Sequence, residues 1–153
     1  MVLARGPVES SGYGENHAVL EALLGKAKVT GWTKALTVEG GPGSRGHAKR
    51  VARAAGEVGA DLLHITSQED AHLVPKKSSV PVVVSVHDLF DHRPRAIDAG
   101  DVPVPLGNRY PSSSRAKQIA ACREGLARAD LLLCASEMTM QDAREMFPKS
   151  KCV

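Results

Sequence analysis

Short apolar runs and amphipathic segments alternate along the chain. The two clearest runs, 62–65 and 81–86, are almost wholly apolar, and polar residues follow each of them. Strands of this kind, without alternation, are typical of parallel sheets that helices cover on both faces. The predicted strands are 1–4, 35–39, 61–66, 80–86, 129–135 and 151–153.

Helical segments with one apolar face fall between these strands. We expect Ser44 and Ser136 to cap two of the helices, and glycine or proline to end most of them. The predicted helices are about 15–24, 45–58, 71–74, 114–128 and 137–147. Because strands and helices follow one another in order, we expect an α/β fold with a right-handed, doubly wound, Rossmann-like parallel sheet.

The segment from 90 to 114 has a different composition, rich in proline, glycine, aspartate, arginine and serine. A loop of more than ~15 residues in a compact domain is usually functional or disordered. This one also carries Arg93, Arg95 and Arg109. We therefore predict a long loop that is either functional or disordered.

The overall composition is that of an ordinary globular protein. Its 153 residues correspond to one domain by the usual range of ~100–200 residues. The net charge of +3 is mild and the aromatic residues are scattered, which does not favour a nucleic-acid interface. The three cysteines form no CxxC pair, which suits a reducing compartment. Because there is no secretory signal and no apolar run of ~18 residues, we expect a cytoplasmic protein without a membrane span.

His87 and Asp88 follow directly after the apolar run 81–86. In open α/β sheets, ligands bind beyond the carboxyl ends of the strands, so both residues are candidates for catalysis. Imidazole titrates near neutral pH and can shuttle a proton, and an aspartate can orient a neighbouring group or act as a base. The alternative is that His87 is a hydrogen-bonded residue at a strand end and Asp88 caps the next turn.

Gly12 and Gly14 lie between the first predicted strand and the first predicted helix. Backbone N–H groups and the helix dipole at such a position favour an anion such as a phosphate. Position 17 is histidine, so the dinucleotide fingerprint is incomplete, and no P-loop is present. The alternative is a turn that merely requires glycine.

The six histidines are not paired at helical spacing or joined to a CxxC motif, so we expect no metal and no cofactor. His64, inside a predicted strand, is interpreted as a structural polar group.

Four segments, in this order, resemble the N-terminal half of family-4 glycosyltransferases of the GT-B fold. They are RGPVESSGYGENHAVLEALL, ADLLHITSQ, VPVVVSVHDL and ARADLLLCASEMTMQDAREMFPKSKCV, which together cover nearly the whole chain. Thr66 stands where many members have a second histidine. Glu137 and Glu145 have the E-x7-E spacing that the family uses in its donor domain. Here they fall on a predicted helix of the first domain, without the expected glycine-rich neighbourhood, so we interpret the spacing as coincidence.

The resemblance implies a transferase that moves a sugar from a nucleotide-sugar donor to an acceptor, with retention, in a cleft between two Rossmann-like domains. Residues 1–153 would form the N-terminal, acceptor-side domain. The C-terminal donor-binding domain would be absent, and the chain alone would be inactive because half a cleft cannot hold the leaving group.

The resemblance also assigns roles to the candidate residues. Gly12 and Gly14 would approach the donor, and His87, with Asp88 beside it, would contact the transferred sugar. The segment that carries Arg93, Arg95 and Arg109 would bind a sugar, lipid or phosphorylated acceptor. The basic outer face of helix 114–128 would allow peripheral contact with an anionic membrane, although a solvated face is the commoner explanation.

Two other functions fit the same pattern of strands and helices. One is a stand-alone flavodoxin-like module that binds a small molecule or a protein without catalysis. The other is half of a sugar-nucleotide epimerase, which needs acid and base carboxylates. Asp70 and Asp88 are its only candidates at strand ends.

Overall fold

A computed structural model of the chain describes residues 1–5, 12–26, 31, 36–39, 46–100 and 102–153. It contains eight strands, four α-helices and one 3-10 helix within these ranges. The strands are β1 (Val2–Arg5), β2 (Leu36–Glu39), β3 (Leu63–Ile65), β4 (Val82–Val86), β5 (Arg95–Ala99), β6 (Val102–Leu106), β7 (Leu131–Cys134) and β8 (Lys151–Cys152). The helices are α1 (Gly12–Gly25), α2 (His47–Glu57), α3 (Ser113–Leu126) and α4 (Glu137–Met146), and the 3-10 helix is Gln68–Leu73.

Six of the strands form one parallel sheet in the order β2-β1-β3-β4-β7-β8. From β1 the chain moves to one side to form β2, and it then crosses to the other side of β1 to form β3. The predicted α/β class and parallel sheet are therefore confirmed, and the sheet is compatible with a Rossmann-like fold.

One face of this sheet carries the main hydrophobic core. Val2, Leu63, Val84 and Leu132 are fully buried there. They belong to one cluster with apolar residues of α2, α3 and α4, among them Val51, Ala55, Cys122, Leu126 and Ala143. Because successive residues of a strand point to opposite faces, Leu3, His64, Val83 and Ser85 lie on the other face.

The segment 90–114, predicted as a loop, contains the antiparallel hairpin β5–β6, so that prediction was wrong. Valine and leucine alternate with proline along β6, and Gly100 lies at the turn, but Pro103 and Pro105 obscured the strand signal in β6. Proline is accepted in a strand at an edge position, where no ladder donor is needed.

The helix ends match the predictions in part. Ser136 caps α4 as predicted, since its hydroxyl accepts a hydrogen bond from the Thr139 amide at 3.2 Å. The predicted cap Ser44 lies outside the described residues, and Gly46, with a φ of 75°, occupies the N-cap position of α2. In the described ranges, no helix is both long enough and apolar enough to cross a membrane.

Candidate functional site

Polar side chains from five parts of the fold meet at the carboxyl ends of β3 and β4. We call the group formed by His17, Thr66, Gln68, His87 and Thr139 the strand-end cluster. His87 directly follows β4, and side chains of two other elements hold its backbone. Its amide donates to Gln68 Oε1 at 3.0 Å, and its carbonyl accepts from the Thr139 hydroxyl at 3.3 Å. Gln68 is 1% exposed, so the position of His87 is fixed from inside the fold.

The imidazole of His87 points toward the end of β3. Its Nε2 lies 3.4 Å from the Thr66 carbonyl oxygen. A carbonyl can only accept, so Nε2 carries the hydrogen in this contact and a neutral ring holds its lone pair on Nδ1. The ring is half-buried.

Thr66 also connects β3 to α1. Its hydroxyl is 2.9 Å from Nδ1 of His17, a residue of α1 that is 2% exposed. His17 Nε2 lies 3.7 Å from a carboxylate oxygen of Glu21, which in turn accepts a hydrogen bond from Thr37. In the sequence alone, position 17 stands out only as a missing glycine of the dinucleotide fingerprint. Its spacing of four and seven residues from Glu21 and Leu24 could have shown that it lies on the inner side of the helix.

His64 lies on the same face of the sheet, one strand from Ser85. Its Nε2 is 2.9 Å from the Ser85 hydroxyl. Burial, with a smaller contribution from the nearby His17, lowers the pKa of His64 from 6.5 to about 4. The ring is therefore neutral at neutral pH, which agrees with the interpretation of His64 as a structural polar group.

This lowered pKa predicts that acid destabilises the chain. The unfolded state binds a proton on His64 below about pH 6.5, whereas the folded state binds it only below about pH 4. The free energy of unfolding therefore falls as the pH falls through this window. Between about pH 7 and about pH 4.5, this one group should remove about 2 kcal/mol from the free energy of unfolding.

Urea unfolding at both pH values, for the natural chain and a His64→Gln variant, measures this effect. Burial also lowers the pKa values of His47 and His92, so the variant should keep a smaller dependence of the same sign. Equal losses of stability in the two proteins would contradict the prediction.

Asp88 is used in a turn. One of its carboxylate oxygens accepts a hydrogen bond from the Phe90 amide at 3.1 Å, which is the geometry of an Asx turn. This contact matches the capping alternative, and a catalytic role for Asp88 stays a prediction.

The predicted acceptor arginines divide into two groups. Arg93 and Arg95 both pair with Asp142 of α4, and Arg93 also pairs with Glu145. These ion pairs attach the hairpin to α4 and neutralise both cations. Arg109 follows β6 and is exposed to solvent. Since Glu145 is the ion-pair partner of Arg93, its E-x7-E spacing from Glu137 needs no donor-binding role.

Gly12 and Gly14 lie in the first turn of α1, because this helix starts before its predicted start at residue 15. Residues 6–11, just before them, fall outside the described ranges. A role for both glycines in donor binding stays a prediction.

Across the described ranges, no three His, Cys, Asp or Glu side chains are grouped so that they could hold a metal ion. No protein-family model matches the chain, and no curated protein is significantly similar to it in sequence.

Proposed function

We propose that the chain is the acceptor-side domain of a glycosyltransferase of the GT-B type, with a doubly wound, Rossmann-like arrangement. The observation that carries the proposal is the position of His87 at the carboxyl edge of the sheet, held by Gln68 and Thr139 and directed toward Thr66. The strand order reverses at β1 and β3, and a ligand crevice is expected at such a reversal. Thr66 follows β3 at this reversal, His17 of α1 contacts it, and His87 is one strand away.

In this proposal each element of the site has a distinct task. The N-terminus of α1, with Gly12 and Gly14, faces the negatively charged diphosphate of the donor. His87 contacts a hydroxyl of the transferred sugar. An anionic or phosphorylated acceptor binds near Arg109 more readily than near Arg93 or Arg95, because carboxylates already neutralise the latter two.

Catalysis also requires a donor-binding domain to exclude water and to hold the leaving nucleotide. The family resemblance implies such a domain. It also implies transfer with retention of the anomeric configuration. The free cysteines Cys122, Cys134 and Cys152 support a cytoplasmic location for the enzyme.

A titration of the isotope-labelled chain with a nucleotide-sugar, followed by amide chemical shifts, tests this site. We expect the largest shifts at Thr66, Gln68 and His87. The loss of one hydrogen bond to a sugar hydroxyl should weaken binding to a His87→Ala variant by about threefold or more. Shifts confined to the opposite edge of the sheet, where Lys76 and Arg128 line an open cleft, would contradict the proposal.

The strand order also favours a second candidate, a flavodoxin-like binding module. The order β2-β1-β3-β4-β7 follows the 2-1-3-4-5 pattern of that fold, which binds its ligand between β1 and β3. Such a module would bind a small molecule tightly without any donor domain and would show no sugar transfer. Because the acceptor-side domain alone would also show no transfer, tight binding of a small molecule by the 153-residue chain is the measurement that separates the two functions.

A further inference from the structure

The two strands of the hairpin have different outer edges. β6 contains Pro103 and Pro105, which have no backbone N–H, so its donors to β5 are Val102, Val104 and Leu106. Successive N–H groups of a strand point to opposite edges. Since the N–H groups of Val102, Val104 and Leu106 point to β5, both prolines lie where an N–H would point away from β5. The outer edge of β6 therefore cannot donate hydrogen bonds at these two positions, and proline is a common way to block a strand edge.

The outer edge of β5 has no such block. Ala96 and Asp98 are opposite the two prolines, so their N–H and C=O groups point away from β6. Both residues are exposed. Among the residues that the structure describes, no backbone hydrogen bond joins this edge to another element. β5 is thus able to pair with a further strand.

The hairpin also has an apolar face that is only partly covered. Ile97, Val102 and Val104 lie on this face and are 45%, 67% and 41% exposed. A two-stranded hairpin is marginally stable by itself, and additional strands with an apolar face stabilise it. Here the base of the hairpin is fixed, because Arg95 pairs with Asp142 of α4.

We propose that two copies of this chain associate through the outer edges of their β5 strands. The strands run antiparallel about a two-fold axis at Ile97, and the two hairpins form a four-stranded sheet. In this register Ala96 of each copy is opposite Asp98 of the other, and each of these two pairs exchanges two backbone hydrogen bonds. The two Ile97 side chains are directly opposite each other and extend the apolar face.

Hydrogen bonding and charge favour this register over the two registers in which the two-fold axis lies one residue away. An axis at Asp98 would place two carboxylates directly opposite each other, which is destabilising. An axis at Ala96 would place Asp98 opposite Pro94, which has no N–H to donate. The axis at Ile97 avoids both conflicts and uses every outward-facing donor of Ala96 and Asp98.

The predicted association is weak. β5 has only five residues, and stable interfaces bury about 1,200–2,000 Å². We therefore expect a dimer that dissociates on dilution. The interface does not involve the strand-end cluster, so this proposal does not depend on the proposed function.

Analytical ultracentrifugation of the 153-residue chain over a range of concentrations measures the association. Ala96→Pro removes one outward N–H per copy and should weaken the dimer by about tenfold or more. Ile97→Lys places two cations opposite each other and should weaken it similarly without altering the backbone. The matched control Ala96→Ser should associate like the natural chain. A monomer at all concentrations, or a dimer that neither Ala96→Pro nor Ile97→Lys weakens, would overturn the proposal.

Oxidative cross-linking tests the register. Ile97 and Val104 are almost equally exposed on the same face of the hairpin, but only Ile97 lies on the proposed axis. Under a mild oxidant, the Ile97→Cys variant should therefore form disulfide-linked dimers at least about tenfold faster than the Val104→Cys variant, because a disulfide requires Cα atoms about 4.4–6.8 Å apart. The natural cysteines are present in both variants. Equal rates of cross-linking would overturn the register.

Discussion

Replacing Gly125 with alanine is expected to lower the free energy of unfolding by about 3 kcal/mol or more. Gly125 is in α3, where this helix crosses the 3-10 helix. A Cβ atom at this position would lie 1.8 Å from the Ala71 carbonyl oxygen and 2.5 Å from its carbon. Both are backbone atoms, so the clash cannot be relieved by rotating a side chain, and the two helices would have to separate.

The surrounding contacts show why separation is costly. Leu126 and Ala71 are fully buried at this crossing. The Cys122 thiol donates to the Glu69 carbonyl at 3.1 Å, and burial raises its pKa to about 11, so it stays a neutral thiol. Moving α3 outward would break this contact and open a cavity in the core.

Urea unfolding of Gly125→Ala beside Gly56→Ala measures this effect. Gly56 is also helical, but nothing lies within 4 Å of a Cβ placed there. Alanine has the higher helix propensity, so Gly56→Ala should leave stability unchanged or raise it by up to about 1 kcal/mol. Similar losses of stability in both variants would show that the close approach at Gly125 is not required.

The crossing at Gly125 also supports the candidate site. The 3-10 helix that packs against Gly125 begins with Gln68, whose side chain holds the His87 amide. A displacement of this helix should therefore disturb the backbone of His87. The folding core and the strand-end cluster share one structural element.

Local sequence patterns predicted the strands and helix ends that are determined by a few adjacent residues. The apolar runs that became β3 and β4 and the serine cap of α4 are signals carried by a few adjacent residues. His87 was also found in this way, because its position after a buried strand is visible in the sequence. The hairpin was missed because prolines usually argue against a strand. Those of β6 are compatible with one only because β5 pairs with the other edge of β6.

The parts that could not be predicted depend on contacts between distant residues. The hydrogen bond between His17 and Thr66 joins residues 49 positions apart, and the one between Cys122 and Glu69 joins residues 53 apart. Arg93 and Arg95 were predicted to face an anionic ligand. In the folded chain, α4 places carboxylates beside both of them, and the local sequence does not show this contact. The need for glycine at position 125 likewise arises only when the two helices meet.

His87→Ala should lower sugar transfer at least about tenfold in the protein that carries this domain together with a donor-binding domain. The size of the loss corresponds to one hydrogen bond of about 1.4 kcal/mol or more that is made in the transition state. The fold should be retained, because Gln68 and Thr139 hold the backbone of His87, which the substitution leaves in place. His72→Ala is the matched control, since His72 is exposed and does not belong to the strand-end cluster.

The release of nucleoside diphosphate from a nucleotide-sugar in the presence of acceptor is the most direct test of the central claim. The protein to be tested carries this domain together with a donor-binding domain. We predict measurable turnover for its natural sequence and for His72→Ala, and at least about tenfold lower turnover for His87→Ala at an unchanged melting temperature. Unchanged turnover in His87→Ala would remove this residue from the site. The absence of release with every nucleotide-sugar tested would contradict the transferase function itself.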